Sequence, residues 1–255
     1  MHRSPLVVGN WKMNFSLEEA TGYATRLKRK LKDSRGVEVV ICPGMLALQA
    51  VSKVFKASDL KLGAQNLAAR EEGPLTGEVA ATQIKEFATH VIIGHSERRI
   101  HLGETDREIA QKLALAHLHG LTPILAVGET LHDYEENLSA RVVNSQVTNG
   151  LRELDAEEVS RSVIAYEPVW SIGTGKPCTP RAAGQMLEGI GSLVASLYGE
   201  EASRALRLLY GGSVSPLNAE AYLDFSHCEG LLVGGASLDL EDFAGIIHSA
   251  ETVKA

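Results

Sequence analysis

Eight short apolar runs recur along the chain, and most end in glycine or polar residues. They are Leu6–Gly9, Val37–Cys42, Leu60–Ala64, Val91–Gly94, Pro123–Gly128, Val163–Glu167, Leu206–Gly211 and Gly230–Gly235. The runs are continuous rather than alternating, which suits parallel strands covered on both faces. Stretches with helical period lie between them. Ser16-Leu-Glu-Glu19 and Thr105-Asp-Arg-Glu108 are capping boxes, and the second leads into Ile109, Leu113 and Ala116 on one predicted face. Gly120 fits a left-handed stop to that helix, and Pro123 blocks its continuation. Ser215-Pro216 and Thr179-Pro180 each offer a cap followed by proline at the first helical position.

Strand alternating with helix predicts an α/β protein with a parallel sheet. Eight such units without a Pro- or Gly-rich linker favour closure, so the expected fold is a single (β/α)8 barrel domain over residues 1–255. Such a barrel typically needs roughly 250 residues, nearly all of this chain. An open doubly wound sheet would carry G-x-G-x-x-G after its first strand, whereas this chain reads Gly9-Asn10-Trp11-Lys12.

Composition narrows the class. With 44% hydrophobic and 22% charged residues the chain can bury a full core and stay soluble. Its net charge is −7 and its basic residues are scattered, so neither nucleic acid nor an anionic membrane is an expected partner. An anionic ligand must therefore be caught locally, by a few groups in a cleft. Cys42, Cys178 and Cys228 are far apart and odd in number, which suits reduced thiols better than a disulfide framework or a zinc site. The run Leu6–Val8 is too short for a signal-peptide core, and no segment approaches the ~20 apolar residues of a membrane span. The expected location is the cytoplasm.

A barrel of this kind holds its active site at the carboxyl ends of the strands. Asn10 and Lys12 stand there, then His95 with Glu97, then Glu167, then two glycine-rich turns. Gly211-Gly212-Ser213 and Gly234-Gly235-Ala236-Ser237 follow the seventh and eighth strands, the usual phosphate position, where glycine lets backbone amides approach an oxyanion. A lone Gly-Gly pair reads as a tight turn; two at this position point to anion binding. Glu167 ends an apolar strand, and burial there would poise its carboxylate as a base. Pro168, the Ile172-Gly173-Thr174-Gly175 tip and Lys176-Pro177 give the next segment the composition of a hinged lid. His95 precedes a turn into helix, whose amides would hold its ring neutral and make it a donor to a substrate oxygen. The other histidines read as structural or solvated, and His117 and His119 are two apart, so they share no helix face for a metal. Lys12 would be an ordinary surface lysine were Glu97 not available to hold it.

These segments closely resemble the triosephosphate isomerase family. The matches are Gly9-Asn-Trp-Lys-Met-Asn14, Gly94-His-Ser-Glu-Arg-Arg99, Tyr166-Glu-Pro-Val-Trp170 with Ile172-Gly-Thr-Gly-Lys176, Tyr210-Gly-Gly-Ser-Val214 and Val233-Gly-Gly-Ala-Ser237. Gln65-Asn66 and Thr76-Gly-Glu78 fit the family's long third loop. The likeness runs in order through essentially the whole chain. It implies a TIM barrel that interconverts dihydroxyacetone phosphate and D-glyceraldehyde 3-phosphate through a cis-enediol(ate), in glycolysis and gluconeogenesis. The resemblance further implies a glutamate base beside a neutral histidine, with a lid that closes over the site.

By that resemblance Glu167 moves the proton between C1 and C2, and His95 polarises the carbonyl. Lys12 stabilises negative charge, with Asn10 and Glu97 fixing the network. The amides of Gly173, Ser213, Gly234 and Gly235 hold phosphate, with Lys12 adding charge, and no metal or organic cofactor is needed. The family's dimer would form through the loop Gln65–Glu78, with Gln65, Thr76, Glu78 and Arg98 at interface positions and Asn14 near them. Ala126, Ser171, Pro177-Cys178, Pro74 and Ala80 depart from the family's usual residues, and all bear on rate or stability rather than on a catalytic group. Another phosphate-binding barrel isomerase would share the glycine turns but not Lys12, His95 and Glu167. A non-catalytic scaffold should have lost one of those three.

Overall fold

Each apolar run forms a strand: β1 (Leu6–Asn10), β2 (Glu38–Cys42), β3 (Lys61–Ala64), β4 (His90–Ile93), β5 (Thr122–Val127), β6 (Val163–Tyr166), β7 (Arg207–Tyr210) and β8 (Gly230–Val233). The structure, a computed structural model, describes residues 3–172 and 178–253. All neighbouring strands pair in parallel, and β8 returns to β1 with Leu6 opposite Gly230, which closes the barrel. Helices cover the outside.

Residues of period two divide the core in two. Leu6 and Val8, Val40 and Cys42, Ile92, Ile124, Val163 and Ala165, Leu209 and Leu232 form a cluster inside the barrel. The residues between them, such as Val7, Ile41, Ile93, Leu125, Ile164 and Leu231, pack outward against the helices. Both faces are dry, which is why the runs read as continuous. Truncating an inner residue such as Leu209 to alanine is expected to cost about 2–5 kcal/mol, since closed strands cannot collapse into the space.

At the amino-terminal end of the barrel the plug is ionic. Glu38 Oε1 accepts from Lys61 Nζ at 2.7 Å and its Oε2 from Arg207 Nη1 at 2.6 Å, with His90 Nε2 3.8 Å from Oε1. Burial works to raise the Glu38 pKa, but the bonds from Lys61 and Arg207 outweigh it and hold the carboxylate below its usual range.

The helix-start chemistry is largely as the sequence dictates. Ser16 Oγ accepts from the Glu19 amide at 3.3 Å while Glu19 accepts from the Ser16 amide at 2.8 Å, and Thr105 and Glu108 repeat the exchange. Ile109, Leu113 and Ala116 are all buried, and Gly120 is left-handed with φ 73°. Thr179 Oγ1 caps the helix Pro180–Tyr198 through the Ala182 amide. Ser215-Pro216 behaves differently. The helix there begins only at Ala219, after a turn. Asn218 Oδ1 accepts from the Ser215 amide at 2.7 Å, and its Nδ2 donates to the Ser213 carbonyl at 3.1 Å. An asparagine bonding its local backbone competes with the serine cap. No described helix is long and apolar enough to cross a membrane.

Candidate active site

The inward period of two delivers the site. Leu6 and Val8 point into the barrel, so Asn10 follows them at the carboxyl end of β1; Val163 and Ala165 are followed in the same way by Glu167. Leu209 and Leu232 lead to Gly211 and Gly234. These residues line one cavity of about 310 Å³ together with Lys12, His95, Ser213 and Gly235. The glycines are where side chains from other strands need room. A Cβ on Gly211 would lie 2.8 Å from Glu167 Cγ, and one on Gly234 would lie 3.4 Å from Lys12 Cε.

On β4 the alternation is broken. Ile92 faces inward and Ile93 outward, and Gly94 then adopts a left-handed φ of 74°. That turn returns His95 to the mouth and starts the helix Ser96–Leu102. His95 Nδ1 accepts from the Glu97 amide at 3.2 Å, so the ring's own proton sits on Nε2, aimed at the cavity. Glu167 Oε1 is 3.2 Å from that Nε2. Burial tends to lower the His95 pKa, but the Glu167 carboxylate outweighs it and the net direction is upward. The bond to Nδ1 fixes the tautomer of a neutral ring, whereas the neighbouring carboxylate favours the protonated ring over the neutral one expected from helix amides. Glu167 is 2% exposed, and its Oε2 meets no partner among the described residues.

Lys12 reaches the mouth from just past β1 in a left-handed conformation, φ 52°. Such a backbone is costly for a side chain with a Cβ and must be held by its surroundings. Asn10 Oδ1 accepts from the Lys12 amide at 3.1 Å, and Gln65 Nε2 donates to the Lys12 carbonyl at 2.9 Å. The ammonium donates to Glu97 Oε1 at 2.6 Å, as the sequence suggested. Burial works against the Glu97 charge, yet the bond from Lys12 dominates and lowers its pKa. Asn10, Lys12, His95, Glu97 and Glu167 are therefore brought together. Gln65 was expected only at an interface; its hold on Lys12 left no mark in the sequence.

The glycine turns converge on the same cavity. Among the described residues the amides of Ser213 and Gly235 donate to no protein acceptor, which leaves them available to an anion. Ser237 Oγ donates to the Asn10 carbonyl at 3.4 Å and to the Gly234 carbonyl at 2.6 Å, tying the eighth turn to the first. Gly173, expected at the phosphate, lies with Thr174, Gly175, Lys176 and Pro177 outside the described residues.

Glu129 supports the site from outside the cavity. It is buried, and its Oε1 accepts from Tyr166 Oη at 3.0 Å and from Trp170 Nε1 at 2.8 Å. It thereby ties the segment after Glu167 to β6. Its one sequence signal is position, since it follows the fifth apolar run much as Glu167 ends the sixth. Ser171 is fully buried and donates to the Pro168 carbonyl at 2.8 Å, while Ala126 lies buried beside Ala165, one step below Glu167. Both departures fit the fold without displacing a site residue.

The triosephosphate isomerase family model matches residues 5–250. Relatives so named include that of Carboxydothermus hydrogenoformans, 44% identical over 249 residues that cover 97% of this chain and 99% of that protein. That of Clostridium botulinum (strain ATCC 19397 / Type A) is 43% identical over 247 residues, 96% of this chain and 99% of that protein. That of Endomicrobium trichonymphae is 43% identical over 246 residues, 96% and 98% respectively. A closed eight-stranded barrel, a mouth built by the residues of the matching motifs and likeness over nearly the full length agree: the chain belongs to the triosephosphate isomerase family.

Proposed function

We propose that this chain interconverts dihydroxyacetone phosphate and D-glyceraldehyde 3-phosphate, with Glu167 as the base that carries a proton between C1 and C2. The observation behind this reading is the 3.2 Å approach of His95 Nε2 to Glu167 Oε1 on one small cavity. A substrate carbonyl oxygen accepting from Nε2–H brings the adjacent carbon to the carboxylate. Glu167 takes the proton from C1 or C2 and returns it to the other carbon. Between the two transfers the substrate is a cis-enediol(ate), whose oxygens His95 serves as proton donor and acceptor.

Lys12 supplies positive charge where the oxygens become negative, and Asn10 and Glu97 keep it there. The amides of Ser213, Gly234 and Gly235 hold the phosphate, with Gly173 completing the set. C1 and C2 exchange oxidation level within one molecule, so the reaction requires no external oxidant or reductant. Closing the mouth excludes water, which strengthens these electrostatics and protects the enediolate from losing phosphate.

The same reading includes a homodimer through the loop Gln65–Glu78. A cleft of about 840 Å³ beside Lys12 and Glu97 is bordered by Gln65, Glu78 and Arg98. Met13 and Leu46 stand 98% and 95% exposed on it, the kind of apolar surface that a second copy covers. A cytoplasmic location suits the three buried cysteine thiols.

Turnover in deuterium oxide tests the chemistry. Glyceraldehyde 3-phosphate should yield dihydroxyacetone phosphate carrying deuterium at C1, because the proton on Glu167 exchanges with solvent. Deuterium at C1 excludes a direct hydride shift, whereas product free of deuterium would contradict the solvent exchange expected of the proton on Glu167.

A further inference from the structure

Gln146 is not in the mouth, yet it is bonded to both sides of a residue that touches Glu167. Its Oε1 accepts from the Gly128 amide at 2.8 Å and its Nε2 donates to the Gly128 carbonyl at 3.1 Å. Gly128 lies directly against the backbone of the carboxylate residue. A Cβ there would fall 1.7 Å from the Glu167 carbonyl oxygen, so no other residue fits. The flanking carbonyls are taken from the same side: Val127 O accepts from the Glu167 amide at 2.7 Å and Glu129 O from the Val169 amide at 3.0 Å. Past the end of β5 the backbone therefore faces Glu167 with two carbonyls, and the two Gly128 groups face the opposite way. A buried peptide with no strand on that side needs another partner. The Gln146 amide has one acceptor and one donor in one plane and stands in for the missing strand.

The reach of Gln146 is also set by sequence. It lies on the helix Ser139–Leu151, four residues before Gly150 and so on the same face. A Cβ at Gly150 would come within 3.0 Å of Leu125 Cδ2, so glycine lets the helix sit close on β5 and brings Gln146 level with Gly128.

We propose that Gln146 is a positioning residue for the reaction, holding through Gly128 the backbone from which the Glu167 carboxylate is aimed. The proposal rests on Glu167 being the base. Gln146 touches no substrate; its effect passes through the height and tilt of one peptide. A shift of that peptide misplaces the carboxylate relative to the substrate carbon, and about 1 Å of such misplacement costs on the order of a hundredfold in rate.

The test is a cycle of Gln146→Met and Glu167→Ala in glyceraldehyde 3-phosphate turnover, with Gln146→Glu as a half clamp that keeps the acceptor for the Gly128 amide. Methionine fills the space and makes neither bond. We expect Gln146→Met to lower kcat by about tenfold or more with KM within about threefold, because phosphate binding lies elsewhere. Gln146→Glu should fall between it and the parent. In the Glu167→Ala background Gln146→Met should cost nothing further, since there is no carboxylate left to aim. An unchanged kcat in the folded Gln146→Met protein overturns the proposal, as does a loss of equal size in both backgrounds. Should the methionine variant not fold, a parent-like kcat in Gln146→Glu overturns it as well. Full activity in Glu167→Ala alone would instead refute the base.

Discussion

Gly211 has no Cβ where Glu167 has its Cγ: the two positions are 2.8 Å apart. The glycine at the end of β7 is the space into which the carboxylate from β6 folds, and this is a steric requirement separate from any phosphate contact of the turn. Gly211→Ala should therefore push Glu167 off its line to the substrate while leaving the barrel closed. We expect kcat to fall by about a hundredfold, with a much smaller change in KM, in steady-state isomerisation assays. A parent-like kcat would show that Glu167 can act from another rotamer.

The Glu167 carboxylate bears on the charge of His95. Burial lowers the His95 pKa and the Glu167 carboxylate raises it, with the second effect the larger in balance with its neighbours. Glu167→Gln removes the negative charge but keeps the shape, so the His95 pKa should move down relative to the parent. Proton–nitrogen NMR of the ring through a pH titration measures this directly. The Nδ1 resonance should stay that of an acceptor, because the Glu97 amide still donates to it. An upward shift in the variant would contradict the assignment.

Which parts of the fold and site the sequence reveals depends on the kind of interaction. The eight strands were readable because both faces of each are dry, so the apolar runs carry no gaps. Lys12, His95, Glu97 and Glu167 were readable because each stands where a run ends, inside a recognisable motif. Gln65, Glu129 and Gln146 were not read as parts of the site. Each works through a bond to backbone or to a distant side chain, and the sequence offers no period or spacing for such a bond. The Ser215-Pro216 cap failed for a similar reason. Asn218 can make the same local bonds, and which residue wins depends on the shape of the whole turn.

The ionic plug under the barrel gives a pH dependence of stability. Burial, helped by Lys61 and Arg207 and opposed by Glu38, lowers the His90 pKa from 6.5 to about 4. In the unfolded chain His90 takes a proton near its ordinary value of about 6.5. The contribution of the buried neutral ring is thus full above pH 6.5, falls as the pH drops through this window, and is gone near pH 4. The depressed Glu38 adds stability that is lost at still lower pH, in the same direction. Urea unfolding between pH 7 and 4.5 should show a shallower decline in His90→Gln than in the parent. Equal slopes would mean that His90 titrates alike in both states.

The exposed Leu46 should be covered in a dimer. Sedimentation of the parent should give twice the chain mass, and Leu46→Glu should move the population towards the single chain by placing a charge in an apolar contact. A monomeric parent at micromolar concentration would contradict the proposed interface.

Whether Glu167 is the base is decided by the rate of glyceraldehyde 3-phosphate isomerisation in the parent and in Glu167→Asp. Shortening the side chain keeps the carboxyl group but draws it back from the substrate carbon. We expect rapid turnover in the parent and a loss of kcat of about a hundredfold or more in the variant, with KM little changed. Equal rates in the two proteins, or no isomerisation by the folded parent, would contradict that role.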